Sequence, residues 1–121
     1  MTDPAPPQLV VVLATGPAKA LRAQEALDLV YAGLALDWSV SLLLRGDALR
    51  WLIPGAADPD AGPGARALPV LADFGLQRLC VGDDELRAAG LAEAPLTTPV
   101  ERLDATALAT LLGEADRLLY A

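Results

Sequence analysis

Two long apolar runs dominate the first half of the chain. They occupy residues 8–14 (QLVVVLA) and residues 38–44 (WSVSLLL). Because a strand that is covered on both faces is apolar throughout, and not at alternate positions, the first run predicts a buried strand of a parallel sheet. The second run predicts the next strand. Residues 18–36 lie between them and repeat apolar side chains at helical spacing, at positions 27, 30, 31 and 34. This order predicts a right-handed strand–helix–strand unit.

The second half of the chain alternates short strand-like and helix-like segments. Strands are predicted at residues 77–81, 99–103 and 116–120, and helices at residues 48–53, 65–74, 83–89 and 105–112. Asp47 and Asp104 are placed as helix N-caps, because a side-chain oxygen there accepts from an otherwise unpaired backbone N–H. Gly75 and Gly90 are placed just past helix ends, where a left-handed residue is common.

This alternation predicts one domain of the α/β class. Its expected architecture is a three-layer α/β/α arrangement around an open, mostly parallel sheet of about five strands, spanning residues 8–121. Residues 1–7 are acidic and proline-rich and are expected to form a disordered arm. Residues 54–64 contain six glycines and prolines and predict a long loop, either a mobile segment over a site or a tolerated surface loop.

Charge and hydropathy narrow the classes of function. The chain has 121 residues, nine of them Lys or Arg, and a formal net charge of −7. Its basic residues are scattered, so no nucleic-acid surface and no polybasic membrane patch is expected. The N-terminal residues lack the features of a signal peptide, and no apolar run approaches the ~20 residues of a membrane span. A cytoplasmic location is therefore expected.

The residue types also limit the chemistry. There is no histidine and a single cysteine, Cys80. The chain therefore lacks Ser-His-Asp and Cys-His pairs, histidine ligands and cysteine clusters for zinc. A metal site built from carboxylates alone is possible in principle, but no metal site and no cofactor is expected. The adjacent acids Asp83, Asp84 and Glu85 are interpreted as a capping turn, since neighbours in sequence fan around a helix end instead of converging.

Five residues are candidates for ligand binding because they follow predicted strands. In an open parallel sheet, ligands bind beyond the carboxyl ends of the strands. Thr15, Gly16 and Lys19 follow the first strand, Arg45 follows the second and Gly82 follows the third. A helix N-terminus beside a basic residue can hold an anion. The alternative is an ordinary strand–helix turn with a solvated lysine.

Cys80 is the candidate nucleophile. It lies near the end of the third predicted strand and close to the start of a helix, whose dipole would lower the pKa of a thiol. The negative charges of Asp83 and Asp84 would instead raise the pKa of this thiol. The alternative is a buried cysteine in an apolar strand, the usual position of an unpaired cysteine.

Several segments, taken in their order and spacing, resemble a known family. They are residues 24–29 (QEALDL), 40–52 (VSLLLRGDALRWL), 71–76 (LADFGL), 85–91 (ELRAAGL) and 112–119 (LGEADRLL). Over nearly its whole length the chain resembles the DsrE/F-like superfamily, most closely the TusC/DsrF branch. The resemblance implies the same α/β/α fold and a role in sulfur transfer.

The resemblance also implies partners and a site. Such proteins assemble with DsrE-type and DsrH-type subunits and relay persulfide sulfur toward tRNA thiolation or serve sulfur oxidation; self-association is the alternative. In carrier members the persulfide cysteine begins the helix after the third strand, a position that falls on Gly82 here and not on Cys80. The histidine-containing turn common in TusC-like proteins is replaced by residues 17–19.

Three hypotheses follow. The first is a structural or docking subunit of a sulfur-relay assembly without its own turnover. The second is a persulfide carrier that uses Cys80. The third is a small-ligand or regulatory domain that binds an anion at the strand ends.

Overall fold

Strands and helices alternate along the described part of the chain, which comprises residues 6–16, 20–53, 75–96 and 98–121 of a computed structural model. The strands are β1 (Gln8–Leu13), β2 (Ser39–Leu44), β3 (Arg78–Gly82), β4 (Glu101–Leu103) and β5 (Arg117–Tyr120). The helices are α1 (Ala20–Ala35), α2 (Asp83–Ala88) and α3 (Ala105–Gly113), with a short 3₁₀ helix at Gly46–Leu52. Each lies within about two residues of its predicted bounds.

Some predictions fall on residues outside these ranges. They are most of the N-terminal arm, Lys19, the loop at residues 54–64 and the helix at residues 65–74. Gly75 is described, and its φ of +98° is the left-handed conformation expected just past a helix end. Gly90 has a φ of +76° and follows α2, which confirms its predicted position.

The five strands form one sheet in the order β4-β3-β2-β1-β5. All four strand pairs are parallel, as in β1 and β2, where Leu9 lies opposite Val40 and Leu13 opposite Leu44. This confirms the parallel sheet, in which β1 and β2 are interior strands. Because β1 is buried from Leu9 to Leu13, its uninterrupted apolar sequence is what the position requires.

Helices cover both faces of the sheet, which gives the predicted three layers. The face that we call the α1 face packs side chains such as Val11 and Leu42 against α1, the 3₁₀ helix and α2. The opposite face, the α3 face, packs Val12 and Leu43 against Leu111 of α3. Successive residues of each strand therefore enter different cores, as the two-residue period of a strand demands.

Helix α1 buries the stripe that its periodicity predicts. Leu27 and Val30 are buried, and Tyr31 and Leu34 pack at the margin of the same core. None of the helices in the described ranges combines the length and the apolar character that crossing a membrane requires.

One of the two predicted N-caps is wrong. Asp104 does cap α3, since its carboxylate accepts a hydrogen bond of 2.7 Å from the N–H of Ala107. Asp47, however, lies in the first turn of the 3₁₀ helix, and the N-cap is Arg45. The reason is that Arg45 is still extended as the chain leaves β2, and its carbonyl already accepts the first helical hydrogen bond, from Ala48.

The residues that follow β1 pack closely against the 3₁₀ helix that follows β2. The indole N–H of Trp51 donates to the carbonyl of Thr15 at 2.9 Å. Gly16 lies so close to the 3₁₀ helix that a Cβ atom there would stand 2.6 Å from the backbone oxygen of Asp47. Since backbone cannot give way as a flexible side chain does, position 16 has no room for a side chain.

We predict that Gly16→Ala lowers the free energy of unfolding by about 1–3 kcal/mol, the usual cost of forcing a methyl group into a packed region. The matched control is Gly113→Ala. A Cβ at position 113 meets nothing within 4 Å, so this change at the end of α3 should be neutral or stabilising. Urea unfolding of both variants measures the difference, and equal effects would contradict the close approach.

Candidate functional site

Four predicted binding residues come together at the carboxyl edge of the sheet. Thr15 and Gly16 follow β1, Arg45 follows β2, and Gly82 ends β3 and is the N-cap of α2. Backbone hydrogen bonds hold this edge together, since the N–H of Arg45 donates to the carbonyl of Leu13 at 2.9 Å. We call these four residues, with Glu85 of α2, the strand-end rim. The fifth predicted residue, Lys19, lies outside the described residues.

An ion pair crosses the strand-end rim from β2 to α2. Both Nε and Nη2 of Arg45 lie 3.1 Å from Oε1 of Glu85. The two side chains are 40% and 36% exposed, so solvent screens the pair and its contribution to stability is below about 1 kcal/mol. The guanidinium of Arg45 therefore already has a carboxylate as its partner.

The second oxygen of Glu85 faces the position of Gly82. Oε2 is buried and has no hydrogen-bond partner among the described residues. A Cβ atom on Gly82 would lie 3.9 Å from this oxygen, an ordinary van der Waals distance. Gly82 also has a φ of −74°, so its backbone does not require glycine. A Cβ atom at position 82 would therefore fit, and it would lie beside a carboxylate.

The three acids that begin α2 do not form a cluster. Asp83 pairs with Arg87 one turn along the helix at 2.9 Å, whereas Glu85 turns to Arg45. No group of three or more cysteine, aspartate or glutamate side chains within the described ranges is arranged to hold a metal ion. The acids thus diverge, as predicted, but the capping turn is wrong, because the N-cap of α2 is Gly82 and no side chain caps the helix. The pairing of Glu85 across the rim is not evident from the sequence.

Cys80 lies away from the strand-end rim, in the core of the α3 face. Its side chain is 0% exposed and packs in the same cluster as Leu43, Leu103 and Leu111. Cys80 and Gly82 share a face of β3, but position 80 lies about 7 Å further from the strand end. The structure therefore brings the rim residues together without placing this thiol among them.

An ion pair at the edge of the sheet flanks Cys80. Arg78 donates from Nε and Nη2 to the two carboxylate oxygens of Glu101, at 2.9 and 2.7 Å, and these hydrogen bonds hold the pKa of Glu101 below its ordinary value. The Cys80 sulfur lies 3.8 Å from Oε2 of Glu101. Desolvation by burial, partly offset by the positive charge of Arg78, raises the pKa of Cys80 to about 11.

We predict that the Cys80 thiol is inert toward iodoacetamide at pH 7–8, because the reactive thiolate is rare there and the sulfur is buried. A cysteine placed at exposed Ala109, in a Cys80→Ala background, serves as the control and should react at the ordinary rate. Mass spectrometry of the intact protein measures both rates. Comparable rates for the two positions would contradict the burial of Cys80.

Neighbouring charges should shift this pKa in opposite directions. Glu101 raises the pKa of Cys80, so Glu101→Gln should lower it; Arg78 lowers it, so Arg78→Gln should raise it. The thiolate absorbance in a titration from pH 8 to pH 12 measures both shifts, with the Cys80→Ala protein as the blank.

The raised pKa also makes the stability of the protein depend on pH. The pKa of Cys80 in the folded protein exceeds the ordinary value of 9.0, so the protonated thiol contributes its full share to the free energy of unfolding below pH 9. This contribution is lost as the pH rises from 9 to about 11.

Known proteins resemble the chain both in sequence and in fold. The model of the DsrE/DsrF-like family matches residues 8–121. A protein described as a TusC homolog, from Pseudomonas aeruginosa, is 35% identical over 116 residues, which cover 92% of this chain and 95% of that protein. The crystal structure of the ychN protein from E. coli superposes with a TM-score of 0.80 at 21% identity, covering 95% of this chain and 99% of that one. This last likeness concerns the fold alone.

Proposed function

The chain belongs to the DsrE/DsrF-like family, and from this premise we propose that it is a docking subunit of a sulfur-relay assembly without a persulfide cysteine of its own. The family match and the similarity to a TusC homolog support the relay role. The partners that we propose are DsrE-type and DsrH-type subunits, and the pathway is tRNA thiolation or sulfur oxidation.

The observation that carries the proposal is the absence of a usable thiol from the strand-end rim. In persulfide transfer, a thiolate attacks the outer sulfur of the donor persulfide, a new persulfide forms, and the donor leaves as a thiolate. The acceptor must therefore be deprotonated and accessible. Gly82, the position that the family resemblance assigns to the carrier cysteine, has no side chain, and Cys80 is buried with a raised pKa.

The charges of the rim support the same proposal. Arg45 could in principle stabilise an anionic persulfide, but Glu85 already occupies its guanidinium. The buried oxygen of Glu85 beside position 82 would oppose a thiolate formed there, because like charges disfavour ionisation. The same pairing argues against the anion-binding hypothesis for Thr15, Gly16, Arg45 and Gly82.

We expect the chain to co-purify with the DsrE-type and DsrH-type subunits of its own organism when the three are co-expressed. After treatment with a persulfide donor, the added sulfur should appear on a partner subunit and not on this chain. Intact-mass spectrometry of the complex distinguishes the subunits. The DsrE-type partner is the positive control, because it carries the acceptor cysteine that we propose for the assembly.

The matched variant is Cys80→Ala, which removes the thiol and leaves the rim unchanged. We expect it to assemble with the partners and to support sulfur transfer at the rate of the unmodified complex. A persulfide on Cys80, or loss of transfer in the variant, would favour the carrier hypothesis. Failure of the three chains to associate would exclude the docking role.

A further inference from the structure

We draw no further inference here: the strongest candidate, the outer edge of β5 with the exposed side chains of Leu118 and Tyr120, has no partner strand within the described ranges, and nothing in the structure shows what covers it.

Discussion

Burial of β1 on both faces is the constraint on which the rest of the structure depends. Val10 and Val12 enter the core under α3, and Val11 and Leu13 enter the core under α1. A strand so covered offers its backbone only to neighbouring strands, and β1 pairs with β2 on one side and β5 on the other. Since its neighbours run parallel to it, the carboxyl ends of the strands lie at one edge of the sheet, and four of the five binding residues predicted from sequence meet there.

The sequence predicts this architecture well because the signals are local. A continuous apolar run identifies β1, and the capping side chain of Asp104 identifies the start of α3. The sequence does not predict the partners of side chains that meet across the fold. Arg45 and Glu85 are 40 residues apart, and no spacing rule relates an arginine after one strand to a glutamate in the helix after another. The error at Asp47 has the same origin, because the course of the chain leaving β2 decides where the 3₁₀ helix begins.

Cys80 lies on the same face of β3 as Gly82, and it is separated from the strand-end rim only by its greater distance from the end of the strand. The two-residue period correctly places positions 80 and 82 on one side of β3. It gives no indication that Leu103 and Leu111 close over position 80, since their approach depends on the course of β4 and α3. A cysteine in an apolar strand is therefore compatible with either a buried or a reactive thiol until the tertiary neighbours are known. Here those neighbours desolvate the thiol, and desolvation outweighs the opposing effect of Arg78 on its pKa.

The distribution of unsatisfied groups explains why assembly, more than chemistry, is the function to test in this chain. At the strand-end rim, the indole of Trp51 binds the Thr15 carbonyl and Oε1 of Glu85 binds Arg45, so the indole and the guanidinium already have internal partners. At β5 the reverse holds, because apolar side chains and backbone groups face solvent together. Burying such an edge satisfies hydrogen bonds and removes apolar surface in the same step. The internal pairing of Trp51 and Arg45 at the rim therefore supports the docking role that we propose over sulfur transfer by this chain itself.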